Sequence, residues 1–256
     1  MQDSDLNTVS TLNFTGKHIE ALLVRNAKDF PVQGRTLVVN IGATPAPLAR
    51  TPRTSIPPLS STVLVDTRVQ EAQALVLLRI NDESAAMEDI LGEPGWHLLG
   101  DLLGDTPATD PDPGTGGRPF PRDTPLWKGP QDDAGVIALD PGRLLGESIA
   151  PPRETPFQVK VNLWYAPAGT DCAIHNQHDF IEVHTQVLGT GRMQKFTDQD
   201  HSTLYEDVLM SPGYTTPDPF CDTAPDGTFR YPWHQYRADT DCVWLAVEYH
   251  APAPTR

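Results

Sequence analysis

Three histidines and one glutamate lie close together in the segment GTDCAIHNQHDFIEVHTQVLG, which runs from Gly169 to Gly189. The candidates are His175, His178, Glu182 and His184. Neutral imidazole nitrogens and carboxylate oxygens are ligands that zinc, iron, manganese, nickel and copper accept in proteins. Another histidine, His234, lies far downstream, so only the fold could bring it to the same place. These residue types and their spacing predict a metal centre.

The alternation of side chains along a β-strand sorts these candidates. Residues two apart on a strand share a face, so Glu182 and His184 point the same way and His178 has the same parity. His175 has the opposite parity and joins them only if the chain turns at Asn176. Burying three such polar groups without a common partner is costly, which favours a shared metal over ordinary packing.

The segment resembles the first sequence motif of the cupin superfamily, G-x5-H-x-H-x3,4-E-x6-G. The chain offers Gly169, five residues and His175, and then His178, three residues, Glu182, six residues and Gly189. The two histidines are spaced H-x-x-H instead of H-x-H. Counting back from Glu182 places the first histidine of the motif at Asn176, whereas counting forward from Gly169 places it at His175.

The second cupin motif is weaker in this chain. Asp207 to Gly213 looks like its strand and turn, but strict spacing then puts Thr216 at the histidine position. An alternative register, which we prefer, takes Pro232-Trp-His234 as the histidine-bearing strand and Cys242 to Glu248 as the last barrel strand. It requires an inserted loop from about 214 to 231, which the Pro-Asp-Pro and Pro-Asp-Gly turns favour.

The resemblance covers about residues 157–250 and implies a metal in the mouth of a double-sheet barrel, bound by two or three histidines and one glutamate. It implies His178, Glu182 and His234 as ligands, His184 as a fourth ligand or the catalytic base, and His175 as a reserve ligand. His201 and His250 are expected at the surface or rim, and His18 and His97 outside the site. Candidate substrate-binding residues near the pocket are Gln186, Arg192, Gln194, Tyr205 and Tyr236.

This ligand set predicts one divalent transition metal per chain, iron in the first place, with manganese, zinc, nickel or copper as alternatives. We expect a metal-dependent enzyme that acts on a small polar metabolite as an oxygenase or oxidase. One alternative is an isomerase, epimerase or lyase acting on a sugar-like or keto-acid substrate, with His184 as general base. Another is a cupin that binds a small ligand without catalysis.

The rest of the chain predicts a mainly β protein, because 26 prolines and 19 glycines break long helices. We expect a cupin-like barrel of the jelly-roll type over 151–256, and an N-terminal β-rich region over 1–150 that is a degenerate second barrel or a sheet extension. A long Pro/Gly/Asp loop is expected over 104–133. Helices are predicted over about 15–27, 85–91 and 97–103, and strands over 35–41, 61–67, 74–80, 157–165, 179–188, 192–196, 205–210 and 242–249.

Charge and composition exclude several classes of partner. The formal charge of −15, from 34 acidic and 19 basic residues, disfavours nucleic acid and anionic membrane surfaces. No apolar run is long enough for a membrane span. The acidic start lacks the features of a signal peptide, so we expect a cytoplasmic protein. Cys172, Cys221 and Cys242 are expected to be reduced packing residues, and pairing of exposed edge strands suggests a homodimer.

Overall fold

Antiparallel β-sheets make up most of the computed structural model, which describes residues 5–52, 54–81, 86–103, 120–145, 154–216, 221–224 and 228–252. The strands are β1 (Thr8–Thr11), β2 (Ile19–Asn40), β3 (Ala46–Pro47), β4 (Ser55–Ile56), β5 (Ser60–Ile80), β6 (His97–Leu98), β7 (Trp127–Lys128), β8 (Asp132–Leu139), β9 (Thr155–Ala166), β10 (Ile181–Leu188), β11 (Gly191–Phe196), β12 (Leu204–Met210), β13 (Asp222–Thr223), β14 (Phe229–Arg230), β15 (Trp233–Ala238) and β16 (Cys242–His250). The helical pieces are α1 (Leu99–Leu102), α2 (Pro141–Leu144) and 3₁₀ turns at Met87–Gly92 and His201–Thr203.

The N-terminal sheet has the order β1-β2-β5 and is built from two long strands that bend. Because of the bends, Leu37 of β2 pairs with both Leu78 and Val63 of β5. The two bent strands thus supply four strand segments, which are joined by three ladders. The strands predicted over 61–67 and 74–80 are two parts of the single strand β5, and the strand predicted over 35–41 is the second half of β2.

The helix predicted over 15–27 is wrong, because this part of the chain enters strand β2. Ile19, Leu22 and Leu23 fit a helical face, but Ile19, Ala21 and Leu23 also fit the period of a strand, and these three are at most 1% exposed. Pairing with β5 along the whole length decides between two patterns that are locally ambiguous. Of the other two predicted helices, Met87–Gly92 is a 3₁₀ turn, with residue 85 outside the described residues, and 97–103 is a short strand followed by α1.

The central sheet has the order β10-β16-β9-β7-β6, and β8 also pairs with β9. Its long strands confirm the predictions over 157–165, 179–188 and 242–249. Strands β6, β7 and β8 precede residue 150, so the N-terminal region contributes to the same sheet as β9. In the segment expected to be a loop over 104–133, residues 104–119 lie outside the described residues, and β7 and the start of β8 occupy part of the remainder.

The outer sheet has the order β12-β11-β15, and it confirms the strands predicted over 192–196 and 205–210. It faces the central sheet, as the stacking of Tyr236 on Trp244 shows, with ring centroids 4.0 Å apart. The prediction of a mainly β fold with facing sheets is confirmed. No helix in the described ranges is long and apolar enough to cross a membrane.

The two faces of the central sheet have different chemistry. One face presents Ile181, Val183, Val247 and Tyr249, all fully buried, to the N-terminal sheet. The Tyr249 hydroxyl donates a 2.9 Å hydrogen bond to the carbonyl of Ile41 there. The alternate residues, which include Glu182 and His184, project to the other side, toward the outer sheet. The N-terminal sheet therefore covers the apolar face and leaves the polar face for the site.

Replacing Tyr249 by Phe tests how the N-terminal sheet is held. The variant leaves the buried Ile41 carbonyl without its donor, so we expect the free energy of unfolding to fall by about 1–3 kcal/mol. Urea denaturation monitored by circular dichroism measures the change. The matched control is Tyr205→Phe, because Tyr205 is 55% exposed and its loss of a hydroxyl should change stability little. Equal stability of the two variants would contradict this role.

Candidate metal centre

Three imidazoles from two parts of the chain meet between the central and outer sheets. His178 Nε2 lies 3.0 Å from His175 Nε2 and 3.2 Å from His234 Nε2. One ligand atom from each of the three histidines lies within 4.8 Å of the others. His234 belongs to β15, whereas His175 and His178 belong to the irregular segment before β10. The structure thus brings together His178 and His234 with His175.

Hydrogen bonds to the backbone fix which nitrogen faces the cluster in two of these rings. His175 Nδ1 lies 2.9 Å from the Ala173 carbonyl, and His234 Nδ1 lies 2.9 Å from the Pro232 carbonyl. A carbonyl oxygen only accepts, so each Nδ1 carries the proton and each neutral ring turns an Nε2 lone pair inward. The Nε2 of His178 carries at most one proton, so it can donate a hydrogen bond to only one of the other two rings. A bound cation would satisfy the Nε2 lone pairs that no hydrogen bond satisfies.

The spacing of the three nitrogens fits a metal ion. Metal–nitrogen bonds of about 2.0–2.1 Å place two ligands about 2.9 Å apart at adjacent octahedral positions and about 3.3 Å apart in a tetrahedron. The separations of 3.0 and 3.2 Å lie in this range. The residues therefore fit a divalent transition metal, which would be held by His175, His178 and His234.

A bulge explains why His175 joins the site despite its parity. The segment before β10 runs antiparallel to β15, with Cys172 donating to the Tyr236 carbonyl and His175 and His234 exchanging two backbone hydrogen bonds of 2.9 and 2.8 Å. Three steps along one chain match two along the other, so one extra residue is accommodated. Ala173, with a φ of 66°, absorbs it. The bulge reverses the parity of His175, so this residue reaches the cluster although strand parity alone predicts that it points away.

Glu182 and His184 stand beside the three histidines as a bonded pair. Glu182 Oε1 lies 3.1 Å from His184 Nε2, and Glu182 Oε2 lies 3.8 Å from His178 Nε2. Both residues are buried, at 5% and 8% exposure. This arrangement aims one carboxylate oxygen at the cluster and gives the other to His184. The geometry favours His184 as a residue that positions Glu182 over His184 as a metal ligand.

Tyr231 holds the segment that carries these ligands, and sequence reasoning gave it no role. Its hydroxyl donates to the Phe180 carbonyl at 2.7 Å and accepts from the Glu182 amide at 2.9 Å. Its ring meets the His178 ring edge-on, with centroids 4.8 Å apart. No spacing in the sequence links Tyr231 to Glu182, because the contact joins an irregular segment to the start of a strand.

Burial keeps the imidazoles in the state that metals require. It lowers the pKa of His178 to about 4, and it lowers the pKa of His175 and, further, that of His234. Burial alone would raise the pKa of Glu182, but the neighbouring imidazoles, His184 above all, outweigh it and hold that pKa below its usual value. Neutral rings beside an ionised carboxylate form a net anionic donor set, which suits a divalent cation.

The last glycine of the motif allows a close backbone approach. Gly189 has a φ of 70°, and a Cβ there would lie 1.9 Å from the Asp241 carbonyl oxygen. This turn leads from β10 to β11, and hence from the Glu182 strand to the strand that pairs with His234. Only glycine fits at this point.

The candidate substrate-binding residues are divided between two faces. Gln186 and Tyr236 are buried between the sheets and hydrogen-bonded to each other. Arg192 and Gln194 pair with the β15 residues on the face turned away from His234, and Arg192 forms ion pairs with Asp207 and Asp239 at 2.8 and 2.7 Å. Tyr205 is 55% exposed on an edge strand. The structure does not bring Arg192, Gln194 or Tyr205 to the histidines.

The remaining histidines have separate surroundings. His18 contacts Glu93, and His201 packs against Phe196. His250, expected at the surface or rim, bonds to the buried Glu248 at 2.8 Å and packs on Phe180, whose ring also contacts His178. The repeated pattern Glu-x-His, at Glu182 and again at Glu248, is the sequence signal that could have drawn attention to it.

Ala173→Val tests the bulge. A β-branched side chain is strained at a φ of 66°, so we expect the segment to shift and metal affinity to fall about tenfold or more. Competition with a chromophoric chelator measures the affinity. Ala173→Gly is the matched control and should keep wild-type affinity, because glycine adopts this conformation freely. Unchanged affinity in the valine variant would show that the bulge does not position His175.

His184→Ala separates a positioning residue from a ligand. If His184 only orients Glu182, the variant still takes up metal, with affinity about 10–100-fold lower. His178→Ala serves as the comparison, since removing a central imidazole should abolish stoichiometric binding. Elemental analysis after dialysis gives the metal content of both proteins. If His184→Ala emptied the site as completely as His178→Ala does, His184 would itself be a ligand.

Comparisons with known proteins found similarity to solved structures alone. No protein-family model matches it, and no curated protein matches it. Similar solved structures include ectoine synthase from P. lautus, with 15% identity, a TM-score of 0.27 and coverage of 52% of this chain and 70% of that one. A cupin-superfamily sugar phosphate isomerase from Silicibacter pomeroyi has 22% identity, a TM-score of 0.26 and coverage of 46% and 61%.

A cupin 2 conserved barrel domain protein from Leptotrichia buccalis has 8% identity and a TM-score of 0.28, over 96% of this chain and 91% of that one. This chain spans less than two thirds of the isomerase. The names of the synthase and the isomerase refer to different reactions. In its C-terminal part the chain has two facing antiparallel sheets with a His/Glu cluster between them.

Proposed function

We propose that this protein is a metal-dependent enzyme that acts on a small polar metabolite. The observation that carries the proposal is the convergence of three imidazole Nε2 atoms within 4.8 Å of one another, with the carboxylate of Glu182 beside them. Histidines packed in this way without a cation leave lone pairs facing each other in a buried place, which is unfavourable.

The residues of the chain have distinct tasks in this proposal. His175, His178, His234 and Glu182 hold the metal, His184 orients Glu182, and Tyr231 fixes the segment between them. When bound, a divalent transition metal with fewer protein ligands than its coordination number supplies Lewis acidity and, if it is redox-active, electron transfer. Partial burial between the sheets lowers the local dielectric, which strengthens the electrostatic contacts within the cluster.

We propose an oxygenase or oxidase as the reaction class, with iron as the metal. Three imidazoles and one carboxylate combine borderline and hard ligands, a mixture that suits iron among the metals considered. Since the three histidines are neutral and Glu182 is ionised, the donor set carries one negative charge and leaves a net positive charge on a divalent site. Such a charge favours an anionic or oxygen-rich substrate.

A Lewis-acid isomerase, epimerase or lyase is a second candidate, and the surroundings of His184 favour it. His184 Nδ1 is buried and without a hydrogen-bond partner among the described residues, while Nε2 is held by Glu182. An imidazole oriented by a carboxylate on one nitrogen, with the other nitrogen available, has the arrangement of a general base. In this scheme the base would take a proton from a substrate bound beside Glu182.

Metal analysis together with oxygen consumption tests these assignments. We expect about one transition-metal ion per chain after purification without chelators. Iron, with oxygen uptake on adding a panel of small hydroxy and keto acids, supports the oxidase. Tightly held zinc or manganese, with substrate conversion that proceeds equally under nitrogen, supports the isomerase or lyase. A protein that binds no metal even when reconstituted would contradict a metal-dependent enzyme and favour a binding role.

A further inference from the structure

A polar row crosses the inner face of the central sheet next to the metal-binding cluster. Glu248 of β16 lies opposite Glu182 of β10, and Lys160 of β9 lies opposite Glu248. Directly opposite residues of an antiparallel sheet project to the same face, so Lys160 and Glu248 share the side on which Glu182 meets the histidines. The neighbouring positions, on the other face, are apolar and fully buried.

The partners of Glu248 are not the ones that charge alone would predict. Glu248 is 6% exposed, and its Oε2 lies 2.8 Å from His250 Nε2 and 3.1 Å from Gln131 Nε2. The adjacent Lys160 does not take part. A neighbouring imidazole and an amide therefore hold this buried carboxylate, and the ammonium group beside it is not needed for that purpose.

Lys160 is a half-buried cation with carboxylates on both sides and no ion pair among the described residues. Its neighbour in β8 is Asp133. The Oδ1 of Asp133 accepts hydrogen bonds from the Gly135 amide at 2.7 Å and from the Gln158 side chain. The ammonium of Lys160 is thus available for an anion that enters from the side of the metal-binding cluster.

The next row of the sheet contains two further unpartnered polar atoms. His184, Ala246 and Asn162 lie opposite one another across β10, β16 and β9. His184 Nδ1 and Asn162 Oδ1 are both buried, and neither has a hydrogen-bond partner in the part of the chain that the structure describes. Ala246 lies between them, and its small side chain does not project above the sheet between the two polar groups. Buried unpartnered polar atoms are few in native proteins, and their clustering beside a metal-binding cluster indicates a binding wall.

We propose that Lys160 binds the distal carboxylate of a small hydroxy- or oxo-dicarboxylate whose other end reaches the metal. This inference rests on the proposed function, and it names the substrate class of that site. Neighbouring strands lie about 4.8 Å apart, so the backbones of β10 and β9, which flank β16, are about 10 Å apart. A compact diacid bridges that gap. One ammonium group suits a carboxylate, whereas a phosphate usually takes several donors.

The test uses the full-length protein loaded with cobalt(II), whose visible spectrum responds to a ligand that reaches the metal. L-malate is the probe, and L-lactate, which lacks the second carboxylate, is the matched probe. We expect wild-type protein to bind malate more tightly than lactate. Lys160→Met should weaken malate about tenfold or more and leave lactate and cobalt affinity unchanged. Lys160→Arg should keep the preference for malate, because it keeps the charge.

Lys128→Met is the control for a general loss of positive charge, because Lys128 lies over the Trp164 ring on the adjacent strand, 5.4 Å from its centroid. It should keep the wild-type affinity for malate. Wild-type affinity for malate in Lys160→Met, or equal weakening of malate and lactate, would overturn the inference while leaving the proposed function intact. A wild-type protein that takes up no cobalt would overturn the proposed function, and this inference with it.

Discussion

The mutual approach of three neutral imidazoles is the constraint on which this site depends. Their Nε2 atoms lie 3.0 and 3.2 Å apart, and the outer two rings have their protons committed to backbone carbonyls. Lone pairs that face one another in a buried place are stable only around a cation or a shared proton. The backbone of β15, the bulge at Ala173 and the clamp by Tyr231 all serve to maintain this approach.

The three-layer arrangement lets the fold carry such a polar interior and still keep an apolar core. The central sheet has one apolar face, which the N-terminal sheet covers, and residues of this face belong to the main hydrophobic core. The second face can then carry Glu182, Glu248 and Lys160 without the sheet losing its core. The long bent strands β2 and β5 are therefore a support for the site, although none of their residues reaches it.

Much of the C-terminal fold could be predicted from the sequence, because period-two alternation and glycine-marked turns are local signals. The same holds for Glu182 and His178, whose spacing resembles a known motif. The wrong helix over 15–27 arose because a short apolar run fits two periods, and only pairing with β5 distinguishes them. His175 was placed last among the ligands because strand parity assumes an unbroken ladder, and one residue with a positive φ breaks it.

Other parts of the site depend on contacts that no local pattern encodes. Tyr231 reaches Glu182 across an irregular segment. Lys160 becomes a candidate binding residue only when the strand order β9-β16-β10 is known, because that order places it near Glu182. Arg192 and Gln194 share the strand neighbourhood of the ligands but lie on the face turned away from His234, which follows from the register of β11 against β15. Face and strand order come from tertiary structure.

His175 and His234 are hydrogen-bonded to each other through their backbones as well as directed at one cluster through their rings. An ion held by both would cross-link the edge segment before β10 to β15, much as a disulfide joins two strands. A bound ion would then be detectable as a better ordered backbone in these two segments. With such an ion bound, the affinity for it and the pairing of this segment with β15 would be coupled in one equilibrium.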